Sequence, residues 1–134
     1  MIFDFENAKT IEDIYFHDCV YEGFSYDYDH REVRLELVHE WMKKRYSLCF
    51  RNVVALQIQG CGFWGGGNSV YYLWVDENPA YFHELEELQA KNPENYRYSQ
   101  LDQGARFISI IMQLHSGDEL KVTCESVDVT TENL

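Results

Sequence analysis

Between Glu32 and Gln59 apolar and polar positions alternate more regularly than anywhere else in the chain. In Glu32-Val33-Arg34-Leu35-Glu36-Leu37 the three apolar side chains face one way and the three charged ones the other, which is the signature of a half-buried strand. Trp41-Met42-Lys43-Lys44 can turn the chain. Tyr46, Leu48, Phe50, Val54, Leu56 and Ile58 then hold one parity through Gln59, interrupted at Asn52, so the pattern predicts a long second strand bent near that residue. Paired antiparallel, the two strands form a sheet with one apolar face that the remaining elements must cover.

The flanking pattern supplies those elements. Thr10 and Asp13, with Ile11, Ile14 and Tyr15 at helical spacing, predict a capped helical turn over 10–16 that lids a sheet edge. Val20, Phe24, Tyr26 and Tyr28 share one parity and predict the first strand, with Asp29-His30 turning into the central hairpin. Gly60 to Ser69 holds five glycines in ten positions and reads as a loop connecting two strands as a hairpin. Val70 to Val75 is apolar on both faces, as a strand covered on both sides would be. Asn78-Pro79 starts a helix and Asn92-Pro93 stops it, giving one helix at about 79–91 with Tyr81, Leu85 and Leu88 on its apolar face. A polar loop spans 92–104. Arg106–His115 and Leu120–Cys124, turned at Ser116-Gly117-Asp118, form a second hairpin; the parity shift to Val127 and Val129 marks a bulge or strand switch, and the tail beyond Thr130 is expected to fray.

At 134 residues the chain fits a single domain over 1–134, able to bury roughly two-thirds of its unfolded surface without disulfides or metal. Aromatics at 16%, ten of them Tyr, favour strands. The fold expected is therefore α+β and β-rich: six or seven mostly antiparallel strands in a curved sheet or sandwich, one helix and a short N-terminal helical turn. Met1-Ile2-Phe3-Asp4-Phe5-Glu6 lacks the basic and apolar regions of a signal peptide, and no apolar run reaches the roughly 20 residues of a membrane span, so a cytoplasmic protein is expected. Cys19, Cys49, Cys61 and Cys124 form no C-x-x-C pair and read as free thiols.

Charge changes the picture most. The net charge is −12, yet residues 31–59 carry three acids against six bases, while 1–30 carry eight acids against one base. A negative surface crossed by a basic stripe repels nucleic acid and anionic membranes and steers a basic protein towards it. Asp27, Asp29, Glu84, Glu86 and Glu87 are the acids expected to meet such a partner, with Phe63 and Trp64 in the glycine loop as aromatic anchors. An acid excess also serves plain solubility.

Other arrangements weigh less. In an extended chain His17 and Cys19 share a side and Asp18 faces away, and no oxyanion site accompanies them, so no catalytic residue is assigned. Asp27 and Asp29 also suit a solvated edge, and His83 with Glu87 lacks the second His of a zinc helix. His39 continues the parity of Leu37 and reads as a satisfied, partly buried histidine. No metal or cofactor is expected. The other class of function open to the sequence is a small-molecule-binding domain or enzyme with a pocket under Gly loop 60–67, lined by Trp64, Tyr72 and Trp74. A third is a subunit that pairs with its own copy through a sheet edge.

Phe16-His17-Asp18-Cys19, the Tyr-rich strand after it, the Val33/Leu35/Leu37 strand and Leu48-Cys49-Phe50-Arg51-Asn52-Val53 resemble a loose group of small uncharacterised bacterial proteins. Some of these look like immunity proteins of polymorphic toxin systems. The resemblance implies a non-enzymatic inhibitor that covers a basic toxin domain, and it carries no catalytic residues.

Overall fold

The computed structural model describes residues 1–60, 67–77, 80–92 and 106–134; for 80–82, 85 and 89 it describes the backbone alone. In chain order the elements are β1 (Ile2–Asp4), a 3-10 helix (Ala8–Asp13), β2 (Val20–Asp27), β3 (Glu32–His39), β4 (Lys44–Arg51), β5 (Ala55–Gln59), β6 (Val70–Asp76), α1 (Ala80–Lys91), β7 (Ile108–Leu114), β8 (Glu119–Cys124) and β9 (Ser126–Asn133). They form two antiparallel sheets, ordered β1-β9-β4-β3-β2 and β5-β8-β7-β6. The β-rich α+β class is as expected. The strand number is not: among the described residues nine strands in two sheets replace the six or seven foreseen.

Period-two patterning explains how the two sheets share one core. Val33, Leu35 and Leu37 pair across from Phe50, Leu48 and Tyr46, and all six are buried. Val127 and Val129 of β9 continue that face, and Ile108, Ile110, Met112, Val122 and Cys124 meet it from the second sheet. Phe3 in the three-residue β1 pairs with Val127 and is also buried, so the first strand joins the core through that one side chain.

The expected long bent strand is divided at Asn52, which adopts φ +51°. β4 lies in the first sheet and β5 in the second. The antiparallel partner crosses beside it, because β8 pairs with β5 and β9 pairs with β4. Arg51 stands opposite Ser126 and Ala55 opposite Thr123, so four steps on one side match three on the other, as at a bulge. Backbone bonds from Glu125 N–H to Arg51 O (3.2 Å) and from Val54 N–H to Thr123 O (2.9 Å) seal the corner. The Asn52 side chain donates to Glu125 Oε2 at 2.6 Å and accepts from Arg31 at 3.3 Å.

Several expectations need correction. A bulge between Tyr21 and Gly23 places Tyr21, Phe24 and Tyr26 opposite Leu37, Leu35 and Val33 and puts Val20 on the other face, so the shared parity of Val20 with Phe24 is lost. β5 and β6 lie at opposite edges of their sheet, so the glycine segment links two edges and is not a hairpin connection. β6 is covered on one face only: Val70, Leu73 and Val75 are buried while Tyr71 and Tyr72 are exposed. The tail beyond Thr130 stays paired, with Thr131 opposite Tyr46 and Asn133 opposite Lys44. Thr10 sits inside the 3-10 helix and not at its cap; that helix packs on β6 through Ile11 and a Lys9 Nζ bond to Val75 O. Among the described residues no helix is long and apolar enough to cross a membrane. The edge strands are β1, β2, β5 and β6, and any pairing of copies would use one of them.

Replacing Asn52 by Leu should cost about 2–3 kcal/mol, combining a left-handed backbone penalty of about 1–2 with lost side-chain bonds. Asn52→Gly keeps the backbone and should cost about 1 kcal/mol. Urea denaturation of both variants measures the difference; equal losses would show that the backbone conformation is not what Asn52 supplies.

Candidate functional site

At the end of the sheets away from the Asn52 corner, three segments converge. Phe16–Cys19 forms a tight turn in which Asp18 adopts φ +67°, a conformation that Asp tolerates better than most residues. Backbone bonds hold it: Asp18 N–H to Val70 O at 2.8 Å, Val70 N–H to Cys19 O at 2.8 Å and Cys19 N–H to Phe16 O at 3.0 Å. His115 N–H donates to Ser69 O at 2.9 Å, which brings the end of β7 to the same place. The two sheets are therefore stitched along the β2–β6 side as well, and Val20 bridges Ser69 there.

The left-handed Asp18 breaks strand alternation. Its carboxylate lies 3.1 Å from His17 Nδ1 and 3.2 Å from His115 Nε2. The contact with His17 lacks hydrogen-bond geometry, and His17 Nδ1 is buried with no hydrogen-bond partner. The imidazole rings of His17 and His115 stand edge to face, 5.6 Å apart at 89°, and Tyr71 packs on both. Desolvation is the largest single influence on the exposed Asp18 carboxyl and opposes ionisation, but the hydrogen bond from His115 and the charge and close polar contact of His17 together outweigh it and lower its pKa.

Next to this cluster is an open cleft of about 380 Å3 lined by Tyr15, Asp18, Val20, His39, Glu40, Trp41 and Met42. His39 is only 6% exposed; its Nδ1 accepts from Met42 N–H at 3.1 Å, and its Nε2 has no partner. The expected satisfied histidine is thus half satisfied. Trp41, at the tip of the β3–β4 hairpin, is 94% exposed, with Met42 at 44% and Tyr15 at 55%.

Cys19 is not presented to solvent beside His17. It is fully buried, and burial followed by the neighbouring Asp18 charge pushes its thiol up to about 11. Burial raises Cys124 as well. Cys19, Cys49 and Cys124 are free thiols, and Cys61 lies outside the described residues.

The residues expected to bind a partner are dispersed. Asp27 and Asp29 are exposed beside the β2–β3 turn, at the opposite end of β3 from Trp41. Asp27 accepts from His30 N–H at 3.1 Å and contacts His30 Nδ1 at 2.7 Å, which lowers its pKa. Glu84, Glu86 and Glu87 are exposed on α1, where Glu86 lies 3.3 Å from His83. Phe63 and Trp64 lie outside the described residues, so the pocket expected under loop 60–67 does too. Its other expected lining residues, Tyr72 and Trp74, stack 5.2 Å apart. Three of the six bases of the stripe are matched by acid: Arg34 pairs with Glu32, Arg45 with Glu22 and Glu132, and Arg51 with Asp128.

His115 and Trp41 were both missed by sequence reasoning. No spacing links residue 115 to residue 17, since topology alone joins them. A tryptophan in a polar turn was a usable signal, the same one applied to Phe63 and Trp64. No protein-family model matches this chain, and no curated protein matches it.

Two outcomes follow. Cys19 and Cys124 should resist a thiol reagent at pH 8 in the folded protein and react on unfolding; rapid native labelling of Cys19 would contradict the burial. The hydrogen bond to Asp27, with its charge, raises the His30 pKa above the usual 6.5. That contribution to stability is complete below 6.5 and lost as pH rises through the raised folded value. An NMR titration should place the His30 midpoint above 6.5, falling back in Asp27→Asn.

Proposed function

We propose that this chain is a non-enzymatic acidic binding module that docks a basic protein, with the β3–β4 hairpin tip as its apolar anchor. The observation that carries the reading is Trp41, 94% exposed between Glu40 and Met42 on a hairpin whose turn is held by the His39–Met42 bond. Large aromatics held outward on a fixed turn are the side chains that supply most binding energy when a partner desolvates them. Tyr15 and Met42 flank the anchor, and Asp18 and Glu40 place negative charge in the same cleft.

The charge distribution supports the sign of the partner. Arg34, Arg45 and Arg51 of the strand faces are engaged by neighbouring acids, and Asp27, Asp29, Glu84, Glu86 and Glu87 are exposed, which favours a basic partner for a chain of net charge −12. Long-range attraction to a basic surface raises the association rate, and burial of Trp41 slows dissociation. The resemblance of Phe16-His17-Asp18-Cys19, the strands after it and Leu48–Val53 to a loose group of small bacterial proteins, some of which look like immunity proteins, suggests the class of partner: a basic toxin domain whose active cleft the acidic protein covers. Asp27, Asp29, Glu84, Glu86 and Glu87 act here as steering charges, since Asp27 and Asp29 are remote from the anchor.

Capture from native-host lysate at low and moderate salt should retain a basic protein in stoichiometric amount. Trp41→Ala should weaken that complex by about tenfold to a hundredfold while leaving thermal stability unchanged, because the side chain contacts mainly solvent. Charge reversal at Asp29 and Glu84 should slow association and flatten its salt dependence. Recovery of the chain alone, or a Trp41→Ala variant that holds the partner equally well, would overturn the reading.

A further inference from the structure

We infer that His17, Asp18 and His115 form a binding site for one divalent transition-metal ion of the zinc class, with its remaining coordination open to the Tyr15–Trp41 cleft. The donor atoms are His17 Nδ1, one Asp18 carboxylate oxygen and His115 Nε2, all within 4.8 Å of one another. Two imidazole nitrogens and a carboxylate oxygen are the donor set of open three-ligand zinc sites and of related first-row ions. A tetrahedral ion with bonds of about 2.1 Å separates its ligands by roughly 3.4 Å. His17 Nδ1 lies 3.1 Å from Asp18 Oδ2 and His115 Nε2 lies 3.2 Å from Asp18 Oδ1, so the two histidines approach different oxygens of the one carboxylate, each at about that spacing.

Two features favour a ligand over a plain polar cluster. His17 Nδ1 is buried against the carboxylate without a hydrogen bond, although a hydrogen-bonded cluster would align it. The edge-to-face setting of the two imidazoles lets both direct a ring nitrogen at one point without stacking.

The scaffold suits the task. Asp18 is fixed by its left-handed turn and its bond to Val70, and His115 by its bond to Ser69, so residues 16–19, β6 and β7 each contribute to one rigid frame. Preorganised ligands on paired backbone lose little entropy on binding. The protein leaves at least one position for water or an incoming oxygen donor from the cleft, because three side chains do not complete a tetrahedron.

The test uses the full chain, stripped with chelator and titrated with Zn2+ against a chromophoric competitor, then with Co2+ by absorption spectroscopy. One Zn2+ per chain should bind at micromolar or lower Kd, with a cobalt spectrum free of thiolate charge-transfer bands, which excludes the cysteines. His17→Gln and His115→Gln should each weaken binding at least tenfold, whereas His83→Gln and His30→Gln should not. Circular dichroism and thermal melts of the metal-free variants establish that they fold. His17→Gln removes a half-buried ring outside the strands and serves where His115→Gln does not fold. No binding up to about 100 µM Zn2+, or binding unchanged in a folded variant lacking either histidine, would overturn the inference.

Discussion

Everything in this fold depends on the corner where two antiparallel strands cross together from one sheet to the other. β4–β5 and β8–β9 are in effect one long ribbon bent at Asn52 and Glu125. Bending a paired ribbon costs least when one strand carries an extra residue and one position can take positive φ. Asn52 supplies the conformation and also bonds Glu125 and Arg31 across the bend. Because both strands turn at once, no backbone group at the bend has to be abandoned, and the apolar faces of the two sheets close on a single core.

That bend leaves the opposite side of the sheets to be joined by other means, and the joint is where chemistry accumulates. There β2 and β6 meet through short backbone contacts around Val20, Ser69 and Val70. A joint between two sheet edges cannot keep regular alternation on both, so a residue with positive φ is needed, and Asp18 fills that position. The consequence is a carboxylate turned towards His17 and His115 instead of away from them. A requirement of packing thus assembles a polar cluster beside an exposed aromatic cleft.

The contrast between what could and could not be read in the sequence follows from the range of each interaction. The β3–β4 hairpin, the Ser116–Asp118 turn and the strand switch at Glu125–Ser126 are local, and periodicity reports local pairing directly. The facing of β2 was lost because a single bulged residue reverses parity, and no residue type there announces the bulge. The division of residues 44–59 between two sheets was half legible: Asn52 interrupts the pattern, but a bend and a change of sheet look alike until the partner strand is known. β1 was missed because three residues carry too little periodicity, although Phe3 is deeply buried. The His17–Asp18–His115 cluster was illegible in principle, since it joins residues about a hundred positions apart through a conformation that strand alternation forbids.

The same reasoning explains why the acidic residues proposed from composition did not gather into one patch. Charge along a chain is visible in the sequence, but its neutralisation is a tertiary matter. Arg45 of β4 reaches Glu22 of β2 and Glu132 of β9, two residues separated by most of the chain, and Arg51 reaches Asp128. These exposed pairs add little stability individually. Their effect is on the outer field: they occupy the arginines that would have formed a basic stripe and leave the remaining acids to set the sign of the surface. Among the described residues, the His17–Trp41 end is where two imidazoles, a carboxylate, an exposed tryptophan and an open cleft are held by one backbone frame.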